Sequence, residues 1–181
     1  MELNDKTDIK SALRKSYSSV IYAINQMDDI TYITSRGSGK WSPGDILGHL
    51  ILTNKAITKG MTMPKEVLAK QFGMSTRQEQ SIEQLKTLYS SALADGVKAT
   101  PQLTFRGVEE KGKDVMIEMF NRELENMIAQ VDQWSEKDLS RHFLPHPAFG
   151  LLTIREMLYF TELHNYHHLE QIKEVLPQLV Y

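Results

Sequence analysis

Apolar residues recur at helical spacing along almost the whole of this chain, and that periodicity makes a helical bundle the fold to expect. A stripe of Ile9, Leu13, Val20, Ile24 and Met27 predicts a first helix over about residues 5–28. Thr31 to Lys40 reads as a loop punctuated by Gly37-Ser38-Gly39. Ser42 is a good N-cap and Pro43 suits the first helical position, so a second long helix should run to about residue 60. Pro64 and Gly73 bracket a short helix, and the capping-box pattern Ser81 to Gln84 opens another that ends near Gly96. Thr100 to Gly107 reads as extended. Met116, Met119, Phe120, Met127, Ile128 and Val131 mark a third long helix over about residues 111–134. A second capping box, Thr153 to Glu156, opens the fourth, which ends before Pro177.

The spacing of these helices constrains their order. A moderate loop joins the first two, which should be antiparallel. About fifty residues separate the second and third, enough for a helical crossover that lets them run parallel. The expectation is an all-α, four-helix bundle of up-down-down-up order, with a helical crossover insertion between helices 2 and 3. Neither a repeat nor a linker divides the chain, so residues 1–181 should form one domain.

Composition excludes whole classes of chemistry. The chain has no cysteine, which removes disulfides, thiolate nucleophiles, Cys-ligated zinc and iron–sulfur clusters. The 21 basic and 23 acidic residues give a net charge of −2, without the basic footprint of a nucleic-acid binder, so no nucleic-acid partner is expected. No Lys/Arg block and no run of 18 apolar residues points to a membrane. Met1 to Ser19 lacks the apolar core of a signal peptide, so a cytoplasmic location is the expectation.

The chemistry-bearing residues are the histidines at 49, 142, 146, 164, 167 and 168. His164 and His168 are four apart and stack on one helical face, together with Ile154, Met157, Thr161 and Ile172. Two imidazoles facing a bundle core either share a metal or bond a backbone carbonyl or water. His49 borders the Ile46, Leu50 and Ile57 stripe of the second helix, about 10 Å from its start. If that helix is antiparallel to the fourth, His49 meets His164 and His168 at one level; otherwise it is a boundary histidine. His167 points away from this face. Glu162 and Glu170 fall on the outer, solvated side. His142 and His146, in the loop before the fourth helix, either reach a pocket mouth or are exposed. Asn165 stands where the zinc-protease motif His-Glu-x-x-His needs its general base. Thr34 and Trp41 occupy two obligatory P-loop positions around Ser38-Gly39-Lys40, which excludes that motif. Arg106, Lys111 and Lys113 read as a solvated basic patch, the nine methionines as core filler, and Trp41 and Trp134 as packing anchors.

Trp41-Ser-Pro-Gly-Asp-Ile-Leu-Gly-His49-Leu resembles the helix 2 signature of the DinB/YfiT-like family of metalloenzymes. Leu144-Pro-His-Pro-Ala-Phe-Gly150, followed by Thr153 to Ile172, resembles its C-terminal signature. The likeness covers roughly residues 5–176 and is weakest over 61–109. It implies the up-down-down-up bundle, a divalent metal ion (nickel or zinc) held by His49, His164 and His168, and a homodimer. It also implies a small-molecule substrate, handled either by a thiol-dependent S-transferase that uses a low-molecular-weight thiol or by a hydrolase. Three neutral imidazoles leave a coordination position open, as catalytic sites do. The alternative is a non-catalytic, metal-stabilised helical bundle or binding module.

Overall fold

The long helices begin where a side chain takes over an N–H that the helix itself leaves unpaired. The computed structural model describes residues 5–176 apart from 36, 38 and 106. Asp5 caps α1 (Lys6–Asn25) by accepting from the Thr7 and Asp8 N–H groups at 2.7 and 2.9 Å. This helix ends before residue 28 because Asp28 accepts from Thr31 N–H and starts a separate turn, α2 (Asp29–Ile33). The expected loop at 31–40 therefore begins as helix.

A reciprocal capping box between Ser42 and Asp45 opens α3 (Pro43–Met61). Next come α4 (Lys65–Phe72) and α5 (Ile82–Ala94), the latter opened by the Ser81 and Gln84 box. Residues 100–107 are not extended: Pro101 sets a 3-10 turn (Pro101–Leu103), and Gly107, at φ 87°, leads into α6 (Val108–Lys111). Beyond are α7 (Lys113–Gln133) and α8 (Glu136–Leu139). A small antiparallel hairpin of β1 (Phe143–His146) and β2 (Gly150–Thr153) follows, with Phe143 opposite Thr153 and His146 opposite Gly150. Sequence reading leaves this segment as a loop, since four-residue strands are too short for alternation to register. Thr153 and Glu156 then cap α9 (Ile154–Lys173).

Contacts at the helix ends set the directions. Lys113 Nζ at the start of α7 donates to Met27 O beyond the end of α1, whereas Lys10 near the start of α1 pairs with Asp132 near the end of α7. These two helices are antiparallel. The start of α3 lies beside α6, where Gly44 faces Val108, and Trp134 Nε1 after α7 donates to Met61 O at the end of α3. Helices α3 and α7 are therefore parallel. Arg155 at the start of α9 bonds Glu136, which also accepts from Lys6 N–H, so α9 runs with α1 and against α3. The order is up-down-down-up, and α4 to α6 form the crossover that permits it.

The core stripes read from the sequence are buried: Ile9, Leu13, Val20 and Ile24 from α1 pack with Met116, Phe120 and Val131 from α7. Tyr17 stacks on Phe120 at 4.2 Å. Met27, Met61, Met116, Met127 and Met157 fill the interior as expected, and so does Trp134, whereas Met63 and Met119 are half-buried, Met74 is exposed and Met1 lies outside the described residues. Glu162 differs from its solvated expectation. It is half-buried, and burial raises its carboxyl pKa against the pull of Lys15. Lys113 is tied to Met27 and Asp29 rather than standing in a solvated basic patch with Lys111, and Arg106 lies outside the described residues.

The crossover is fastened to the start of α9 by buried charge. Arg77 reaches both Glu156 oxygens at 2.5 and 2.6 Å, and the Gln80 and Thr153 N–H groups each donate to the same carboxylate at 2.8 Å. Glu79 accepts from Ser140 and Thr153 hydroxyls and lies 3.5 Å from Arg155. Burial acts to raise the Glu156 pKa, but these donors outweigh it and hold the carboxyl below its usual range. Arg77→Ala leaves a fully buried carboxylate uncompensated and should cost about 3 kcal/mol in urea unfolding at neutral pH. Because the folded pKa is depressed, this contribution is present at neutral pH and lost as pH falls through the lowered value. The difference between wild type and variant should therefore shrink on acidification.

Candidate metal centre

The antiparallel run of α3 and α9 brings His49, His164 and His168 to one point. All three are buried, at 4, 9 and 6 % exposure. His164 Nε2 lies 3.2 Å from His49 Nε2 and 3.0 Å from His168 Nε2, and one ring nitrogen from each residue falls within 4.8 Å of the others. The phase of α9 places His164 and His168 on this face one turn apart. Asn165, the residue after His164, faces the opposite way. Its Nδ2 donates to Ser16 Oγ on α1, so it is a core residue and not a base directed at the centre.

Outer contacts fix the imidazole tautomers. His49 Nδ1 donates to the Leu103 carbonyl at 2.6 Å, and His168 Nδ1 donates to Gln171 Oε1 at 2.9 Å. Each Nε2 is then a lone pair aimed at the common point. Ligating histidines are oriented in this way by a carbonyl or carboxylate on the other ring nitrogen. Burial pushes the His49 pKa below its usual value, the Leu103 carbonyl acting against it. His164 is pushed well below, by burial first and then by the neighbouring imidazoles. Three neutral nitrogen donors at one buried point, without a carboxylate among them, fit a borderline divalent ion such as zinc or nickel.

The remaining histidines separate by role. His167 lies outside the cluster, as its helical phase predicts. It lines the cavity, with its Nε2 accepting from Gln171 Nε2 at 3.0 Å. His142 is buried against Trp134, its Nδ1 donating to Asp138 O, and is neither exposed nor at a pocket mouth. His146 does reach the pocket, where it stacks on Phe149, and burial lowers its pKa to about 4.

A cavity of about 1190 Å³ opens onto the three imidazoles. Trp41 is part of its wall, 4.9 Å from the His49 ring and 6.3 Å from that of His168, and so is more than a packing anchor. Tyr89 from the crossover and Phe160 from α9 close the other side. Gln171 escapes notice in the sequence, although its i+3 spacing from His168 is a usable signal. The Leu103 carbonyl leaves none, since any residue supplies a backbone oxygen.

The crossover reaches His49 through two glycines one turn apart. A Cβ on Gly48 would overlap the Phe105 ring, and one on Gly44 would overlap Val108 and touch Tyr32. Bare backbone at these positions lets residues 103–108 lie close against α3, which brings the Leu103 carbonyl within reach of His49.

The sequence profile of the DinB superfamily matches residues 12–172. No curated protein matches the chain. Among solved structures, YfiT from Bacillus subtilis, described as a probable metal-dependent hydrolase with an unusual four-helix bundle topology, superposes with a TM-score of 0.61 at 13% identity, covering 94% of this chain and 85% of that one. The four-helix bundle protein TT2238 gives 0.58 at 16% identity, covering 94% and 99%. The colibactin self-resistance protein ClbS, solved in complex with a dsDNA, gives 0.55 at 12% identity, covering 93% and 94%. At these identities the likeness is one of fold.

Gly48→Ala should push Phe105 away, withdraw the Leu103 carbonyl from His49 and weaken divalent-metal binding by about 10- to 100-fold while touching no ligand. Competition with a chromophoric chelator measures this. The lowered pKa values of His49 and His164 also set a pH dependence. Both imidazoles take up a proton less readily than a free one does, so the acid limb of metal binding should owe nothing to these two rings until pH is below the ordinary imidazole value of about 6.5.

Proposed function

This chain belongs to the DinB superfamily, and on that premise we propose that it is a metal-dependent enzyme acting on a small molecule, with His49, His164 and His168 as ligands of one divalent ion, nickel or zinc. The observation that carries the proposal is the convergence of three imidazole Nε2 atoms at the floor of a cavity wide enough for a substrate. A metal-stabilised bundle without turnover would need neither the cavity nor an open coordination position. When bound, the ion supplies a Lewis-acidic charge beside which a thiol or a water gives up its proton more readily.

The chain's own residues then favour thiol transfer. Among the described residues the cavity is lined by one carboxylate, Glu174, which pairs with Lys40 at 3.5 Å. Asn165 is turned into the core, so no carboxylate base stands beside the histidines in the manner of the zinc proteases. The chain has no cysteine, so a thiol nucleophile must come from a low-molecular-weight co-substrate. Trp41 and Phe160 flank the centre with apolar ring surface. His167, its ring 4.9 Å from that of His168, is placed to take a proton at Nε2 once the Gln171 N–H gives way.

The same placement of His167 supports a second reading, hydrolysis with His167 as base, and the fold likeness to YfiT points the same way. Nucleic acid stays outside the proposal because the net charge is −2, although the ClbS complex shows that a protein of similar fold can be solved with dsDNA. No helix of the described residues is long and apolar enough to cross a membrane.

Protein purified without a nickel column should carry close to one divalent ion per chain by elemental analysis. His49→Ala, His164→Ala and His168→Ala should each abolish binding, and His167→Ala should retain it. Equal loss in all four variants would overturn the ligand assignment. Metal-loaded protein should accelerate thiol consumption by an electrophile with at least one of a panel of small thiols, above metal-free and His49→Ala controls. Metal-dependent ester or amide hydrolysis with no thiol acceleration would decide for the hydrolase.

A further inference from the structure

The cavity is far larger than a nucleophile at the three histidines requires. Its volume of about 1190 Å³ exceeds the common range for drug-sized ligands, roughly 300–1,000 Å³. A continuous aromatic wall runs along one side. His146 stacks on Phe149 at 4.6 Å and meets Phe160 edge-on at 4.5 Å, and Tyr89 meets Phe160 edge-on at 5.0 Å. Phe160 in turn stacks on His164, so this wall leads directly to the centre. Ile57, Met63, Phe72, Leu93 and Leu144 supply aliphatic and aromatic surface elsewhere.

Several polar groups of the lining are already engaged, which leaves Gln71, Thr100 and the Tyr89 hydroxyl as the uncharged side-chain partners open to a ligand. Thr53 and Thr62 donate their hydroxyls to carbonyls of their own helix, Leu50 O and Lys59 O. Gln171 bonds His167 and His168. Among the described residues no arginine lines the cavity. A sugar, nucleotide or peptide would surrender its hydration here with few partners in return. The charge is one-sided: Lys40 pairs with Glu174, the single carboxylate of the described lining, which leaves exposed Lys59 and Lys98 without a carboxylate there. Exposed charges of one sign at a cavity mouth attract a ligand group of the other sign.

We infer that the cavity takes a ring-bearing, largely apolar small molecule with one anionic group, its rings along the Tyr89, Phe149 and Phe160 wall and its anion drawn by the Lys59 and Lys98 charges of the lining. The inference deepens the proposed function and rests on it in one respect, that the end of the molecule nearest His164 is the end that reacts. The walls exclude water around the apolar body, and the lysines fix which end enters first.

Three naphthalene probes test this: anilinonaphthalene sulfonate (anionic), phenylnaphthylamine (neutral) and a naphthyl quaternary ammonium (cationic). Each is titrated by fluorescence into metal-free and metal-loaded protein, with metal affinity measured separately by chelator competition. The expected result is saturable binding of one anionic or neutral probe per chain with a raised thermal midpoint, which separates cavity binding from adsorption to unfolded protein. Ala56 and Val97 line the cavity at exposed positions, so Ala56→Trp and Val97→Trp should fill it without disturbing the core and weaken binding at least about tenfold. The anionic probe should bind at least about threefold more tightly than the cationic one, by a margin that shrinks as salt rises and reverses in the Lys59→Glu, Lys98→Glu double variant. Absence of saturable binding to folded protein, indifference to both tryptophan variants, or equal affinity for anion and cation would each overturn the inference. Metal binding without probe binding would sink it and spare the metal site; probe binding without metal binding would do the reverse.

Discussion

Imidazole nitrogens that each present a lone pair to the same buried point repel one another unless a cation or a proton lies between them. His49, His164 and His168 are placed in that way, with Nε2 separations of 3.0 and 3.2 Å about His164. A neutral His164 can donate a single Nε2–H to only one of its two neighbours, and burial disfavours a further proton on His49 or His164, which leaves the centre suited to a metal ion. The bundle supplies what holds the rings there. Antiparallel α3 and α9 set the level, the i, i+4 repeat of α9 stacks two rings, and the Leu103 carbonyl and Gln171 fix the tautomers of His49 and His168.

The crossover ties this centre to the rest of the fold. Its first part is anchored to the start of α9 through Arg77 and Glu156, a bidentate pair with one fully buried partner. Its last part lies against Gly44 and Gly48 of α3 and delivers the Leu103 carbonyl. Tyr89, between those attachments, closes one side of the cavity. The segment that makes parallel α3 and α7 possible thus also supplies part of the wall and one of the contacts that orient a ligating ring. The hairpin before α9 contributes in the same manner, since His146 joins the aromatic wall only because β1 and β2 pair and turn it over Phe160.

Much of this was legible in local chemistry. The capping boxes at Ser81 and Thr153 act within three residues and form where the sequence places them, and Ser42, expected as an N-cap, gains Asp45 as a reciprocal partner. The His164 and His168 stack follows from helical phase, and the long interval before α7 made the crossover order readable. Short-range competition defeated other expectations. Asp28 captured Thr31 N–H and turned a loop into helix, Pro101 tightened an expected extended stretch, and the hairpin was too short for its alternation to show.

By itself the sequence determined the helices, their order and the face that carries the histidine pair, because propensity, capping and a 3.6-residue period act between near neighbours. Only the tertiary structure decided that His49 joins that pair, that His142 packs on Trp134 while His146 enters the cavity, and that Glu162 is half-buried. It also decided the partners of Glu156 and the carbonyl that orients His49, across 79 and 54 residues of chain. The physical reason is that a side chain's burial and partners depend on which element packs over it, and a backbone carbonyl at Leu103 is chemically identical to every other until the fold brings it to an imidazole.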